Sequence, residues 1–324
     1  MEQFIKIKQL AEKIKSNVSQ VIVGKEKTID QLIVAIITSG HVLLEDVPGT
    51  GKTLMAKALS KSLDSSFKRI QFTPDLLPTD VSGINFYNQK IGEFEFRPGP
   101  IFANVVLADE INRATPRTQS VLLECMEERQ VTIDGETSAL NRPFLVIATQ
   151  NPVESQGTFP LPEAQLDRFL LKINVGYPTK EEGMDILKRF KGHNPLEEIK
   201  PVATNEDIIA AQNQFSDIYI SDDILQYIME IVHETRNHPE VSLGVSPRGS
   251  QALLKAAQAF AIIKGRSHVV PDDVKEMVKP VLGHRLVLNH TTRFQENMAE
   301  EILDKILRGI TVPAEEELLE GKER

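Results

Sequence analysis

Pro48-Gly49-Thr50-Gly51-Lys52-Thr53 gathers two glycines, a lysine and two hydroxyls within one short turn. Glycines at this spacing let backbone N–H groups curl around phosphate oxygens, and a helix N-terminus directly after them adds favourable partial charge. Lys52 would then reach the β- and γ-phosphates of a nucleotide, and the Thr53 hydroxyl would bind Mg²⁺. Leu54 follows in the first helical turn and belongs with the cradle. The full pattern G-x-x-x-x-G-K-[ST] lacks its first glycine, because Asp46 stands there. The remaining half is intact.

A second group lies downstream, where Asn104-Val105-Val106-Leu107-Ala108 runs into Asp109 and Glu110. Alone, two acids at the end of an apolar strand are an ordinary solvated strand end. With an intact phosphate loop upstream, the pair reads differently. Asp109 would hold Mg²⁺ through its water shell, and Glu110 would orient and deprotonate an attacking water.

The elements that must position these groups are legible between about Val21 and Val175. Strand candidates are His41–Glu45, Phe67–Phe72, Asn104–Ala108, Phe144–Thr149 and Leu170–Val175. Most are nearly continuous in apolar character, as expected of parallel strands covered on both faces. Thr53–Leu63 has helical spacing, and Thr115-Pro116 is a good helix start. The alternation predicts an α/β fold: a three-layer P-loop core around a parallel sheet. Two hairpins interrupt it, one turning around Gln89–Gly92 and one around Asp134-Gly135. After Tyr177-Pro178 the patterns become helical. Thr179 with Glu182 and Thr204 with Asp207 mark helix starts, as does Ser246-Pro247, and Gly265 marks a helix end. The expected domains are a core at 1–177, an all-helical lid at 178–308 with the nucleotide at their junction, and a polar tail at 309–324.

Composition narrows the classes. Of 324 residues, 41% are hydrophobic and 26% charged, the balance of a soluble globular protein. The net charge of −9 opposes a general grip on nucleic acid, which needs a basic face. One cysteine, Cys125, leaves no disulfide framework, and the seven histidines show no metal-ligand spacing. No apolar stretch approaches the ~20 residues that span a bilayer, and the first residues do not read as a secretory signal. A cytoplasmic protein is the expectation.

LLEDVPGTGKT, FTPDLLPTDVSG, FRPGPIFANVVLADEINRATPRTQSVLLECMEE, FLVIATQNPVESQGTFPLPEAQLDRF and GVSPRGSQALL together resemble the AAA+ superfamily and, more narrowly, its MoxR group. The resemblance covers nearly the whole chain, and Asp46 is ordinary within that group. It implies roles that spacing does not establish. Asn151 matches sensor 1, where a carboxamide holds the water or the γ-phosphate; a turn-forming Asn before Pro152 is the plainer reading. Arg168 matches an arginine finger donated into a neighbouring subunit, against a plain salt bridge to Glu163 or Asp167. Arg113 and Arg117 are its rivals. Arg248 matches sensor 2, touching the γ-phosphate and coupling the lid to nucleotide state. Val23 and Gly24 match the segment that packs on adenine, and Gln71 is a candidate switch holding Glu110.

By the same resemblance the chain is a ring-forming, hexameric, Mg²⁺-dependent ATPase. It would remodel a client protein, mature it, or insert a metal or cofactor into it, with a partner bearing a von Willebrand factor A domain. Three other readings compete: a nucleotide-gated scaffold, which would not need Glu110; a chelatase-type subunit; and a DNA-acting motor, which the acidic charge opposes.

Overall fold

The computed structural model describes residues 2–45, 49–151, 157–289 and 297–313. Pro48 of the expected cradle, the neighbouring Asp46 and most of the expected tail lie outside the described residues. Two helices, α1 (Glu2–Ser19) and α2 (Glu26–Ile37), come first. Then follow β1 (Val42–Glu45), α3 (Lys52–Ser62), β2 (Phe67–Gln71), a short α4 (Pro78–Ser82) and a hairpin of β3 (Gly83–Asn88) and β4 (Glu93–Pro98). β5 (Val105–Asp109) and α5 (Pro116–Glu128) lead into a second hairpin, β6 (Gln130–Ile133) and β7 (Glu136–Ala139). β8 (Leu145–Gln150), α6 (Glu163–Leu166) and β9 (Leu171–Ile173) complete the α/β part.

Five of these strands form one parallel sheet in the order β2-β5-β8-β1-β9. Side chains alternate across it. Val42, Leu44, Val105, Leu107, Leu145 and Ile147 enter the core on one face, while Leu43, Val106, Ala108, Val146 and Ala148 enter the core on the other. Both faces are covered, which explains why the strands lack a polar alternation. α1, α2 and α3 pack on the first face, and α5 packs on the second through Leu122, Leu123, Cys125 and Met126. Burial pushes the Cys125 thiol up to about 12, with the Glu124 charge adding to it, so Cys125 is an inert packing residue. β2 is the exception in pattern, because it is an edge strand whose Lys68, Arg69 and Gln71 are exposed.

The second hairpin turns as its sequence requires. Asp134 and Gly135 both have positive φ, +50° and +86°, the geometry that an Asp-Gly pair favours in a two-residue loop.

After β9 the chain is mainly helical: α7 (Lys180–Arg189), α8 (Pro195–Glu198), α9 (Asn205–Gln214), α10 (Asp222–Asn237), α11 (Pro247–Ile263), α12 (Pro271–Leu282) and α13 (Met298–Gly309). The Thr179–Glu182 and Thr204–Asp207 capping boxes both form, and Ser246 Oγ accepts the Gly249 N–H at 3.2 Å. The expectation of helices alone needs one amendment. β10 (Val241–Leu243) pairs antiparallel with β11 (Val287–Leu288) across the ends of the helices. Strands of three and two residues are too short to leave an alternation in the sequence. α11 is deeply buried and packs on α1 and α2. Lys15 of α1 and Lys264 beyond α11 both reach Asp30 of α2, at 2.7 and 2.8 Å.

Candidate active site

In an open parallel sheet, ligands gather at the carboxyl ends of the strands. Here that end carries a cavity of about 460 Å³. One wall is Gly49, Gly51, Lys52, Thr53 and Leu54; the other is Arg69, Gln71, Asp109, Glu110, Thr149, Gln150 and Asn151. Gly49 and Gly51 have φ of +88° and +86°, and a Cβ on either would meet open space. The demand for glycine is therefore one of backbone conformation, not room. Gly51 caps α3, and the Met55 N–H closes its first turn on the Gly51 carbonyl at 2.9 Å.

The acidic pair is held by a polar ring. Asp109 ends β5, and its Oδ1 accepts from Thr149 Oγ1 at 2.6 Å. Its Oδ2 accepts from Arg69 Nε at 3.0 Å and Nη2 at 2.6 Å. The same Arg69 Nη2 donates to Gln71 Oε1 at 2.6 Å, which turns the Gln71 amide nitrogen toward Glu110 Oε2, at 2.8 Å. Arg113 Nε lies 3.1 Å from that same oxygen. Glu110 itself sits in left-handed backbone, φ 57° and ψ 48°, with its N–H donated to Thr149 Oγ1 at 2.9 Å. A non-glycine residue there is strained by ~1–3 kcal/mol, and such strain concentrates at functional sites.

Thr53 and Asp109 face one cavity with hard oxygen donors, which suits Mg²⁺, an ion that keeps waters and shares phosphate oxygens. Among the described residues no group of three or more His, Cys, Asp or Glu could cage a metal unaided. The donor set therefore fits an ion bound jointly by protein and nucleotide.

Val23 and Gly24 do not line this cavity. Gly24, at φ +69°, lies against Glu182 at the start of α7, so close that a Cβ would overlap that carboxylate.

Arg168 and Arg248 stand elsewhere. Both line a second cavity, about 340 Å³, with Gly40 and His41 just before β1 and Leu170 just before β9. That is the amino end of the same sheet. Strands of three to six residues at ~3.3 Å each separate the two cavities by roughly 10–20 Å. Arg168 Nε is 3.6 Å from Glu127 Oε2, and Arg248 Nη2 pairs with the same oxygen. The salt bridge considered for Arg168 thus forms with Glu127, at the end of α5, rather than with Glu163 or Asp167. The Arg248 hydrogen bond, more than the Arg168 charge, holds the Glu127 carboxyl below its ordinary range. Of the two rival arginines, Arg113 sits beside Glu110 and Arg117 is exposed on α5. Arg248 lines this second cavity and not the one beside its own phosphate loop.

His41 forms part of the wall of the second cavity. It accepts the Val146 N–H at Nδ1, 3.0 Å, so Nε2 carries the proton facing the Met126 carbonyl at 3.1 Å. Burial, with help from Arg129, lowers its pKa to about 3, so the ring is neutral.

Comparison with known proteins adds to this geometry. Residues 41–171 match the ATPase family associated with various cellular activities (AAA), and residues 233–306 match the AAA lid domain. YeaC of Bacillus subtilis is 52% identical, over 92% of this chain and 93% of its own length. A crystal structure from Cytophaga hutchinsonii, described as a candidate ATPase, superposes with a TM-score of 0.90 at 39% identity, covering 97% of this chain and 98% of its own. The chaperone MoxR1 of Mycobacterium tuberculosis is 41% identical over 91% of this chain and 80% of its own length.

The chain belongs to the MoxR group of AAA+ ATPases.

Several residues around the site of this MoxR-group chain escape sequence reasoning. Arg69 stands two positions before Gln71, and alternation on a strand puts both on one side, a usable signal. Thr149 interrupts an apolar strand at its end and could have been noticed for that reason. Glu127 gave no signal, since an acid on an amphipathic helix is usually a solvated one. No helix among the described residues is long and apolar enough to cross a membrane.

Proposed function

We propose that this MoxR-group chain hydrolyses ATP to ADP and phosphate at the interface between neighbouring subunits of a head-to-tail ring, a hexamer by family resemblance. Lys52 and the N–H groups around Gly49, Thr50 and Gly51 hold the phosphates. Thr53 and Asp109 hold Mg²⁺, which supplies positive charge to the phosphate oxygens. Glu110 takes a proton from the attacking water, and Asn151, in the same cavity, orients that water against the γ-phosphate. Water oxygen bonds to the γ-phosphorus as the bond to the β,γ-bridging oxygen breaks. Gln71 and Arg113 keep Glu110 engaged until nucleotide and partner are in place.

The observation that supports assembly most is the separation of the two cavities. Arg168 and Arg248 lie at the amino ends of the strands, out of reach of the loop at the carboxyl ends. They can serve phosphate only in another copy, and a head-to-tail repetition of that contact gives a ring when the rotation between copies closes. A guanidinium suits the task because it is always charged and forks onto phosphate oxygens.

The work done is chaperone-like remodelling, maturation or metal and cofactor insertion, in keeping with the description of MoxR1 as a chaperone. The β3–β4 hairpin supports a client-facing role. It exposes Tyr87, Ile91 and Phe94, the last 73% exposed, and large apolar groups clustered in solvent mark contact surfaces. A partner with a von Willebrand factor A domain is part of the same proposal.

The test is the ATPase rate per subunit against protein concentration for wild type, Glu110→Gln and Arg168→Ala, alone and mixed. Each variant alone should lose about 10³-fold or more. Mixing should restore activity at interfaces that combine an intact Glu110 with an intact Arg168. Wild-type activity that persists unchanged in demonstrated monomer, with no recovery on mixing, would overturn the interface mechanism.

A further inference from the structure

Among the described residues, Arg285 is the most completely engaged arginine in the helical part of the chain. Its side chain is 3% exposed and lies in the turn Gly283–Arg285 that follows α12. Nε donates to Asp167 Oδ1 at 2.7 Å. Nη2 donates to the carbonyls of Asp167 at 3.2 Å and Phe169 at 2.6 Å, and Nη1 donates to that of Leu170 at 3.2 Å. One guanidinium therefore grips the chain on both sides of Arg168.

Asp167 has a second partner. Its Oδ2 accepts from Ser246 Oγ at 3.1 Å. Ser246 caps α11, and Arg248 follows two residues later. The turn bearing Arg168 and the helix start bearing Arg248 are thus joined through Asp167 and locked by Arg285. The Arg168 and Arg248 guanidinium groups then meet at Glu127. A buried arginine with this many partners is often only a tie between elements. Here its partners are the backbone segment whose direction decides where Arg168 points.

Resting on the interface reading above, we propose that Arg285 is a positioning residue. It makes the Arg168 turn part of the helical lid, so that movement of one subunit's lid advances or withdraws that subunit's arginine at its neighbour's nucleotide. Arg285 touches no nucleotide itself. A misplacement of about 1 Å in such a group costs on the order of 10²-fold in rate.

The experiment uses Arg285→Met in the full chain, mixed separately with Glu110→Gln and with Arg168→Ala. The Arg285 variant keeps a complete phosphate loop and acidic pair, and its binding of a fluorescent ATP analogue should match wild type. Its kcat should fall about 10²-fold with KM unchanged. Mixing with Glu110→Gln, which supplies a well-placed Arg168, should restore activity. Mixing with Arg168→Ala should restore none. A merely structural lesion would not produce this asymmetry.

Recovery with Arg168→Ala, or no recovery with Glu110→Gln while the Glu110→Gln and Arg168→Ala pair does recover, overturns the assignment. Failure of that last pair overturns the interface reading instead. Should Arg285→Met prove unfolded by thermal melting, Asp167→Asn keeps the size of the partner side chain and must give the same asymmetry. Symmetric behaviour of that variant also overturns the assignment.

Discussion

Thr149 is a small residue with a disproportionate place in the site. Its hydroxyl accepts the Glu110 N–H and donates to Asp109, so one oxygen fixes both acids and the left-handed turn between them. Thr149→Val keeps the shape and removes both bonds, leaving a Glu110 N–H without its partner. Denaturant unfolding should show a loss of about 1–3 kcal/mol, and kcat should fall with it; an unchanged unfolding midpoint would contradict this account. Lys52, Asp109 and Glu110 were legible because their neighbours in sequence are their neighbours in space: a strand before, a helix after. Arg69 was not. It reads as a solvated cation until β2 docks beside β5 with Gln71 opposite Asp109, and only that register brings it to the carboxylate. Glu127 and Arg285 were illegible for the same reason, since residues far apart in sequence give them their meaning.

Elements were read more reliably than their junctions. The five sheet strands fall within about two residues of their expected limits, and in all but the edge strand β2 burial on both faces leaves a nearly unbroken apolar signature. The capping boxes and the Asp134-Gly135 turn followed from local chemistry alone. What the sequence withheld was the placement of one element against another: the ribbon of β10 and β11, and the end of the sheet at which α11 begins. At the start of α3 the argument becomes testable. Gly51 holds a φ that side-chain-bearing residues rarely adopt, with no atoms crowding it. Gly51→Ala should therefore cost about 1–2 kcal/mol of backbone strain, or else push the loop into another shape. Binding of an ATP analogue should weaken while circular dichroism stays unchanged. Wild-type affinity in that variant would mean that the loop does not depend on the left-handed turn.

At the scale of the molecule, two buried histidines make acid a hazard. Burial, then Arg129, holds His41 at about 3; burial, then Arg285, holds His284 well below its ordinary value. An unfolded histidine titrates near 6.5. Below that pH the unfolded chain takes up protons that the fold refuses, so unfolding is favoured. The stability these two rings protect is complete above about pH 6.5 and declines by ~1.4 kcal/mol per unit for each as pH falls toward the folded values. His41→Gln should flatten the dependence of unfolding free energy between about pH 6 and 5 by that amount for one ring. An unaltered slope would show that His41 titrates freely.

Glu127 also has a consequence for the molecule as a whole. In the free chain it occupies both Arg168 and Arg248. Under the interface reading, docking onto a neighbour exchanges that carboxylate for phosphate, and the free energy of the exchange depends on what the neighbour has bound. Nucleotide and neighbour then become ligands of one equilibrium. By thermodynamic reciprocity, whatever factor ATP adds to subunit affinity, assembly returns to ATP affinity. Glu127 sets the threshold for both.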